Sequence, residues 1–349
     1  MKNIKSHPNI SLRQAMKNLS ESGHKCLVIV DENDLLLGTL SDGDIRNAIL
    51  KGMPIRESIE SVFQKEPTAL IESEYDSSEA RKIFIENNFD LIPIVNKKGC
   101  LTDILFMESA LKSEKQNYND KLDLHVIIMA GGLGKRMEPF TYVLPKPLIP
   151  IQEKPIIEHI VERFTKVGCM NFHLTVNYKS KILKAYFDEL KPPYNVSFID
   201  EVKPLGTAGS LRYLKGQFTK PFFVTNCDII IKADYKILYD FHLKGNYDLT
   251  LVASMKEYVI PYGSCELNSD GSLLRINEKP EYDFLINTGL YVLNSDIINL
   301  IPKNKLYHIT NLIEDAKEKG KRIGVFPIDD DAWIDVGQWA EYRKVMELI

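Results

Sequence analysis

Short apolar segments of strand length alternate with segments of helical periodicity from residue 126 onward. Apolar runs bounded by turn residues are typical of buried strands, and apolar residues three or four apart are typical of helices. This alternation predicts an α/β domain with a Rossmann-like, mixed and mostly parallel sheet, which binds ligands at the carboxyl ends of its strands. The predicted strands are Val126–Met129, Asn171–Val176, Val196–Ile199, Phe222–Thr225, Asp248–Ala253, Leu290–Leu293 and Ile323–Phe326, and the predicted helices are Ile156–Val167, Lys179–Leu190, Thr207–Tyr213, Asp234–Lys244, Asp296–Leu300 and Ile309–Lys319.

The front of the chain carries one order of elements twice, which predicts an α+β module built from a repeat. Each copy has a helix, a strand, a turn and a second strand that runs into a second helix. The first copy comprises Ser11–Leu19, Cys26–Val30, Leu35–Leu40 and Asp42–Leu50, with Ser41 as the helix cap, and the second comprises Ser77–Asn87, Leu91–Val95 and Thr102–Leu111.

A polar segment, residues 113–123, separates the repeat from the α/β part. It is nearly free of large aliphatic side chains, and such composition is typical of a linker. We therefore predict repeat copies at residues 1–60 and 61–115, a linker at 116–123 and one further domain at 124–349.

Composition excludes several classes of protein. With 44% hydrophobic and 26% charged residues the chain has a globular composition, and no apolar run approaches the ~18 residues of a membrane span. The N-terminal residues lack an apolar signal core, and the five cysteines are scattered, which predicts a reducing cytoplasm without disulfides or a zinc site. The net charge of −4, with no basic stripe, argues against nucleic-acid and membrane partners.

A glycine-rich turn follows the first predicted strand of the α/β part. Gly131, Gly132 and Gly134 come directly after Ala130, and the cations Arg136 and Lys146 follow. Glycines allow backbone N–H groups to approach a phosphate, and two cations on one loop can neutralise a polyphosphate. The spacing fits neither a Walker loop nor a dinucleotide fingerprint. A nucleoside triphosphate is the ligand that this combination favours; the alternative is an ordinary glycine-rich turn.

Five further segments carry candidate chemistry. A carboxylate at the end of a strand, at Asp228 and again at Asp335, can hold a divalent metal over phosphates, although a single aspartate in this position is also a common helix cap. Pro204–Leu211 has the pattern of a helix N-terminus with a glycine on each side. The free backbone N–H groups of a helix N-terminus favour an electronegative ligand. Asn277–Pro280 and Asn287–Tyr291 would each, taken alone, be surface turns.

Together with the glycine-rich turn, these segments, taken in their order along the chain, resemble the motifs of sugar-1-phosphate nucleotidyltransferases, which have a GT-A-like fold. The resemblance covers Val126 to Trp339 and departs at Lys135, where the family has Thr or Ser. It implies a reaction of a nucleoside triphosphate with a sugar 1-phosphate that gives a nucleotide sugar and pyrophosphate. It also implies Mg²⁺ as cofactor. The implied roles are catalysis for Arg136, Lys146 and Lys279; nucleotide binding for Ala130, Gly131, Gly132, Gly134, Gly206, Thr207 and Asp228; sugar binding for Gly209, Glu278, Asn287 and Gly289; and metal binding for Asp228 and Asp335.

The front repeat resembles a pair of CBS motifs, which commonly bind purine nucleotides. In the first copy Gly38–Asp44 matches the family's phosphate and ribose element, so Ser41 and Asp44 are the implied contacts. The second copy keeps Thr102 but has Leu105 in place of the aspartate. At most one well-formed site is therefore expected, for a regulatory purine nucleotide. The alternative is a structural or oligomerising module.

The layout of the whole chain, a CBS pair before a compact transferase, resembles guanylyltransferases of the glucosamine-1-phosphate type, which serve legionaminic acid biosynthesis. This implies GTP and α-D-glucosamine 1-phosphate as substrates, and a homo-oligomer. Mannose-1-phosphate and heptose-1-phosphate guanylyltransferases and glucose-1-phosphate thymidylyltransferases share the motifs, and no residue decides the base on physical grounds. An alternative of another class is a non-catalytic nucleotide sensor, which should have lost residues such as Arg136 or Asp228.

Overall fold

The computed structural model describes residues 4–72, 74–87, 89–107 and 121–347. The chain forms two compact units: unit 1 comprises Met1–Asn119 and Glu257–Asp283, and unit 2 comprises Asp120–Lys256 and Phe284–Ile349. Most of the predicted linker, and the helix predicted to end at Leu111, lie outside the described residues.

Unit 1 contains two three-stranded sheets of the same design. In each, the first strand pairs in parallel with the second, and the second pairs antiparallel with the third. Both central pairs also have a bulge before a valine, Val30 or Val95. This duplication confirms the predicted repeat. The elements are β1 Lys5–Ser6, α1 Leu12–Ser22, β2 Cys26–Val30, β3 Leu36–Ser41, α2 Asp42–Leu50, β4 Leu70–Ile71, α3 Ser77–Asn87, β5 Leu91–Val95 and β6 Leu101–Phe106.

Helix α2 has the bounds that the sequence predicts. The Ser41 hydroxyl accepts a hydrogen bond from the Asp44 backbone N–H at 3.2 Å, and the Asp44 carboxylate accepts from the Ser41 N–H at 2.9 Å. The Ser41 hydroxyl also donates to the Asp44 carboxylate at 2.6 Å. These bonds form a capping box, which satisfies N–H groups that the first helical turn leaves open. Both residues of the predicted nucleotide site thus have a structural role in the ligand-free chain.

A seven-stranded sheet organises unit 2, in the order β11-β10-β7-β12-β17-β14-β18. Four of its pairings are parallel and the β12–β17 pairing is antiparallel, so the sheet is mixed and mostly parallel, as predicted. The remaining strands are β7 His125–Met129, β8 Pro150–Ile151, β9 Lys154–Pro155, β10 Asn171–Val176, β11 Asn195–Asp200, β12 Phe222–Asn226, β13 Ile229–Ile231, β14 Leu249–Val259, β15 Ser264–Leu267, β16 Leu273–Asn277, β17 Glu281–Leu293, β18 Ile323–Ile328 and β19 Trp333–Asp335.

Helices flank this sheet, and their apolar faces form the core with it. Five fully buried phenylalanine side chains belong to this core: Phe164, Phe172, Phe222, Phe223 and Phe326. The helices are α4 Ile156–Lys166, α5 Ser180–Leu190, α6 Tyr235–Lys244, α7 Ile309–Glu318 and α8 Trp339–Glu347. Among the described residues, no helix is long and apolar enough to cross a membrane.

Two of the predicted α-helices are wrong in type. Thr207–Tyr213 and Asp296–Leu300 contain instead the 3₁₀-helices Gly209–Leu214 and Ser295–Leu300. Segments of this length form too few hydrogen bonds to repay the nucleation of an α-helix, and the tighter 3₁₀ form is common in such short pieces.

A pair of histidines joins three neighbouring strands of the sheet. His125 of β7 lies 2.8 Å from His173 of β10, ring nitrogen to ring nitrogen, and the other ring nitrogen of His173 lies 2.6 Å from the Ser197 hydroxyl on β11. Burial, and secondarily His125, lowers the pKa of His173 to about 4, and burial lowers the pKa of His125. Burial therefore disfavours the protonated form of both rings in the folded chain.

Strand pairing positions three loops at one edge of the sheet. In the parallel pairs of β7, Met129 lies opposite Thr175 of β10 and Asn226 of β12. The carboxyl ends of the three strands therefore meet, and the loops that follow β7 and β12 begin side by side.

Candidate active site

A cavity of about 450 Å³ opens over these strand ends, entirely within unit 2. Eight of the residues predicted from the sequence line it together: Gly131, Gly132, Gly134, Arg136, Lys146, Gly206, Thr207 and Asp228. Segments that are distant in sequence thus line a single cavity, and its volume is typical of small-molecule binding sites.

The glycine-rich loop forms one wall of this cavity. Ala130 is buried, and its N–H donates to the Thr175 carbonyl at 3.0 Å, which fixes the start of the loop. Gly134 has φ 69°, and a Cβ there would lie 2.7 Å from the Thr141 methyl, so this position requires glycine. No other residue would approach within 4 Å of a Cβ at Gly132, which therefore leaves the backbone open for a ligand.

Lys146 and Asp228 form a buried ion pair beside the loop. Lys146 lies in a 3₁₀-helix between Pro145 and Pro147, which restrict its backbone, and its Nζ donates to Asp228 Oδ2. The two side chains are only 10% and 11% exposed. A buried pair of this kind is costly to break because either partner alone would be an uncompensated charge.

Antiparallel pairing of β13 with β19 brings the second carboxylate to the first. Ile229 lies opposite Asp335, and the Val336 N–H donates to the Asp228 carbonyl at 3.0 Å. A Cβ added to Gly337 would clash with Asp228 Oδ2 and lie 2.6 Å from Lys146 Nζ and 2.9 Å from Asp335 Oδ1. The two aspartates and the lysine therefore converge on one point.

This convergence fits a hard divalent cation. Mg²⁺ is usually held by one or two carboxylates together with water and substrate phosphates. Asp335 is oriented for such a role, because the Gly337 N–H and the Gln338 amide donate to its two oxygens at 2.9 and 3.1 Å. The residues that the structure describes contain no group of three or more His, Cys, Asp or Glu side chains fit to hold a metal, so a cation here would need ligands from its substrates.

Glu201 is a cavity residue that the sequence motifs did not single out. It is 7% exposed, its carboxylate accepts from the Leu205 N–H at 3.1 Å, and a Cβ on Gly131 would lie 3.2 Å from it. Burial raises the pKa of Glu201, while the hydrogen bond from Leu205 opposes that rise. The signal that could have found it is its position after strand β11, which ends at Asp200.

A tight turn at Gly206 and Thr207 forms the opposite wall. Gly206 has φ 80° and packs so closely on the Tyr307 carbonyl that a Cβ would lie 2.7 Å from it. The Thr207 hydroxyl accepts from the Ile309 N–H at 3.0 Å and so satisfies the first turn of α7. Gly209 is buried behind this turn, where its N–H donates to the Tyr307 carbonyl at 3.1 Å.

The predicted sugar contacts are divided between the two units. In unit 2, the Asn287 side chain accepts from the Gly289 N–H at 3.1 Å, and Gly289, with φ 92°, lies directly against the Asn226 side chain of the cavity. Glu278 and Lys279 lie in unit 1, on the loop between β16 and β17. None of these four residues lines the cavity, although Gly289 contacts Asn226, which does, and the sugar-binding roles of all four stay predictions.

Comparisons with known proteins agree with this geometry. A family model described as nucleotidyl transferase matches residues 125–349, and a CBS domain model matches residues 3–51. The mannose-1-phosphate guanyltransferase of Yarrowia lipolytica is 34% identical over 222 residues, which cover 61% of this chain and 60% of that relative. The Saccharomyces cerevisiae enzyme of the same name is 33% identical over 222 residues, covering 61% of each chain. The chain thus spans about 60% of the length of the curated relatives it matches.

Solved structures give the same result for the α/β part. The crystal structure of HddC from Yersinia pseudotuberculosis has a TM-score of 0.51 and 28% identity, and the match covers 64% of this chain and 99% of that one. The structure of HddC complexed with GMP-PN has a TM-score of 0.51, 27% identity and the same coverage.

Proposed function

The chain belongs to the nucleotidyl transferase family, and we propose that it transfers a guanylyl group from GTP to a sugar 1-phosphate, releasing pyrophosphate. The observation that carries this proposal is the convergence of Asp228, Asp335 and Lys146 beside the glycine-rich loop. A polyphosphate loop next to a carboxylate pair is what nucleotidyl transfer needs, since the chemistry depends on positioning two anions and neutralising charge.

Each wall of the cavity would have its own task. The N–H groups of Gly131–Gly134 and the Arg136 guanidinium would hold the β- and γ-phosphates. Lys146, fixed between its prolines, would reduce the repulsion between the α-phosphate and the incoming sugar phosphate, and Lys279 would bind the latter. An oxygen of the sugar phosphate would then attack the α-phosphorus in line. Mg²⁺ held by Asp228 and Asp335 would supply further charge neutralisation.

Glu201 supports guanine as the base. A carboxylate offers two adjacent acceptors, and guanine presents two adjacent donors, N1–H and the 2-amino group, along one edge. Adenine has an acceptor at its N1 position, and thymine places carbonyl oxygens on both sides of its single N–H. The acceptor positions that the Leu205 N–H leaves open on this buried carboxylate would therefore favour guanine, because they can accept from both of its donors.

This assignment of Glu201 has a direct test. Inosine triphosphate lacks the 2-amino group, so the wild-type enzyme should use GTP with a kcat/KM at least tenfold above that for ITP. Glu201→Gln should reduce this ratio, while Glu314→Gln, a change of the same kind on helix α7, should leave it unaltered. An unchanged GTP/ITP ratio in Glu201→Gln would remove Glu201 from base recognition without affecting the proposal of transferase activity.

For the sugar, two observations favour different substrates. The whole-chain layout with a CBS pair favours glucosamine 1-phosphate, and with it a role in legionaminic acid biosynthesis, whereas the curated relatives named above are mannose-1-phosphate guanyltransferases. We propose glucosamine 1-phosphate as the substrate, with mannose 1-phosphate as the second candidate. Glu278, as a carboxylate, would suit the 2-ammonium group of glucosamine, which mannose lacks.

The decisive experiment is a matrix of nucleoside triphosphates against sugar 1-phosphates. Pyrophosphate release in the presence of Mg²⁺ should be highest with GTP and glucosamine 1-phosphate. A higher kcat/KM with mannose 1-phosphate would make that compound the sugar substrate in place of glucosamine 1-phosphate. A higher kcat/KM with dTTP would make thymine the base in place of guanine. Absence of turnover with every pair, in a protein that still binds GTP, would favour the non-catalytic sensor.

We further propose that the CBS module binds a purine nucleotide through Ser41 and Asp44. Calorimetry of the full chain with AMP, ATP, GMP and GTP would detect a second site beside the transferase cavity. Asp44→Asn should weaken that site alone, because Asp44 has no part in the cavity lining. Binding that is equal in Asp44→Asn and wild type would contradict the assignment and favour a structural module.

A further inference from the structure

One face of the β15–β16 hairpin is apolar and exposed to solvent. The hairpin lies in the segment Glu257–Asp283 of unit 1, which we call the arm. Its two strands form a sheet of their own, in which Cys265 pairs with Ile276 on one face and Glu266 pairs with Arg275 on the other. The register shifts between Glu266 and Leu267, so Leu267 lies opposite Leu273.

The polar face is satisfied within the arm. Arg275 donates to the Glu266 carboxylate at 2.7 Å, and the Asn277 amide donates to the same carboxylate oxygen at 2.9 Å. This side of the hairpin therefore has no need of another partner.

The apolar face consists of Cys265 and Ile276 together with the leucines at the register shift, Leu267, Leu273 and Leu274. Leu267 is 64% exposed, and Leu274 and Ile276 are each 58% exposed. An antiparallel sheet with one apolar face normally packs that face on a core. A two-stranded hairpin alone is at best marginally stable in water, so the face requires a cover.

The arm is anchored at both of its ends. Glu257 pairs with Arg13 and Arg56, and Arg56 also pairs with Glu281. Both arginines belong to the first CBS repeat, so the stem of the arm is bound to unit 1 while the apolar face remains open.

From these observations we infer that the apolar face of the arm is a homodimer surface, covered by the same face of a second copy of this chain. A two-fold axis places a patch against itself, and a face without formal charge can accept this without like-charge repulsion. The arm carries six acidic and two basic side chains, which disfavours an anionic lipid surface or a nucleic acid as the cover.

The apolar face is large enough to form the centre of a dimer interface. Its five side chains amount to roughly 450 Å² per chain at on the order of 90 Å² each, against about 800 Å² per partner in a standard interface. Five further exposed apolar side chains of the arm could extend the contact: Tyr258, Val259, Ile260, Tyr262 and Tyr282.

Sedimentation equilibrium of the full chain tests the inference. The wild-type chain should be a dimer at micromolar concentration, and Ile276→Lys should weaken the dimer at least 100-fold, since it places two charges across the axis. Leu243→Lys is the matched control, because Leu243 is 46% exposed on helix α6 of unit 2. Circular dichroism should show both variants folded.

Two outcomes would overturn the inference. One is a wild-type chain that remains a monomer at tens of micromolar, with or without nucleotide. The other is a dimer that withstands Ile276→Lys and Leu274→Lys as well as it withstands Leu243→Lys, which would place the interface elsewhere.

Cys265 provides a second measurement that does not depend on a destabilising variant. It is exposed on the apolar face, whereas Cys169 and Cys227 are buried. A short bismaleimide should therefore link two wild-type chains at low micromolar concentration, and Cys265→Ser should abolish the linked species. Equal cross-linking in Cys265→Ser would contradict the proposed pairing.

Discussion

Gly337 is the position at which the smallest chemical change should have the largest effect on the candidate active site. An alanine there would place a methyl group 2.6 Å from Lys146 Nζ, 2.9 Å from Asp335 Oδ1 and closer still to Asp228 Oδ2. Ordinary van der Waals contact begins at about 3.4 Å, so the three charged groups must retreat by roughly 0.5–1 Å.

A displacement of this size is large for catalysis by positioning. A misplacement of about 1 Å can reduce a rate ~10²-fold, which corresponds to about 2.7 kcal/mol of transition-state stabilisation. We therefore expect Gly337→Ala to lower kcat/KM about 100-fold and to raise the Mg²⁺ concentration for half-maximal rate. The fold should persist, because the methyl group meets polar side chains at the edge of a cavity.

Pyrophosphate release at varied Mg²⁺, with thermal melting of the same preparations, measures both effects. Gly43→Ala is the control: a Cβ there would have only Ser41 Oγ nearby, at 3.6 Å, so activity should equal that of wild type. If Gly337→Ala retained kcat/KM within threefold of wild type with an unaltered Mg²⁺ midpoint, the three charged groups would not act together in the reaction.

Three further predictions concern stability. Lys146→Met should lower the free energy of unfolding by about 3 kcal/mol in urea titrations, because it leaves Asp228 buried without its partner, and adding Asp228→Asn should restore part of that loss. Stability should fall as the pH drops from about 6.5 towards 4, because the unfolded chain protonates His173 in this range before the folded chain does. The loss should be about 1 kcal/mol at pH 5 for this half-exposed group and smaller in His173→Asn, and an equal slope in that variant would contradict the prediction. Ser41→Ala should cost about 1 kcal/mol through loss of the helix cap, whether or not a nucleotide binds, as monitored by melting of the full chain.

Elements with strong local signals could be predicted from the sequence. Helix α2 begins where Ser41 caps it, and β10 has the predicted bounds because Phe172, Leu174 and Val176 alternate with polar residues along it. The mostly parallel sheet followed from the alternation of strands and helices alone.

Elements that depend on distant pairing could not be predicted. Strands β13 and β19 have three residues each, and only their mutual pairing defines them. The exposure of the apolar face of the arm could not be predicted either, because alternation along a strand predicts two faces but not which of them is buried.

The residues of the candidate site also fall into those that the sequence could predict and those that it could not. Residues on recognisable motifs, such as Gly134 and Asp228, were identified in advance, and the structure places them on one cavity. Glu201 lies on no such pattern, and its relevance comes only from burial beside Gly131. A single carboxylate in a sequence does not indicate whether the fold will desolvate it.

The pairing of β13 with β19 also orders events during synthesis on the ribosome. Strands β7, β10 and β12, which carry loops around the cavity, all precede Cys227 in the chain and are therefore synthesised first. Asp335 follows about a hundred residues after Asp228, so the carboxylate pair is completed last. A nascent chain stalled before Trp333 would therefore contain the glycine-rich loop and Asp228 but lack Asp335, so the proposed metal site would be incomplete.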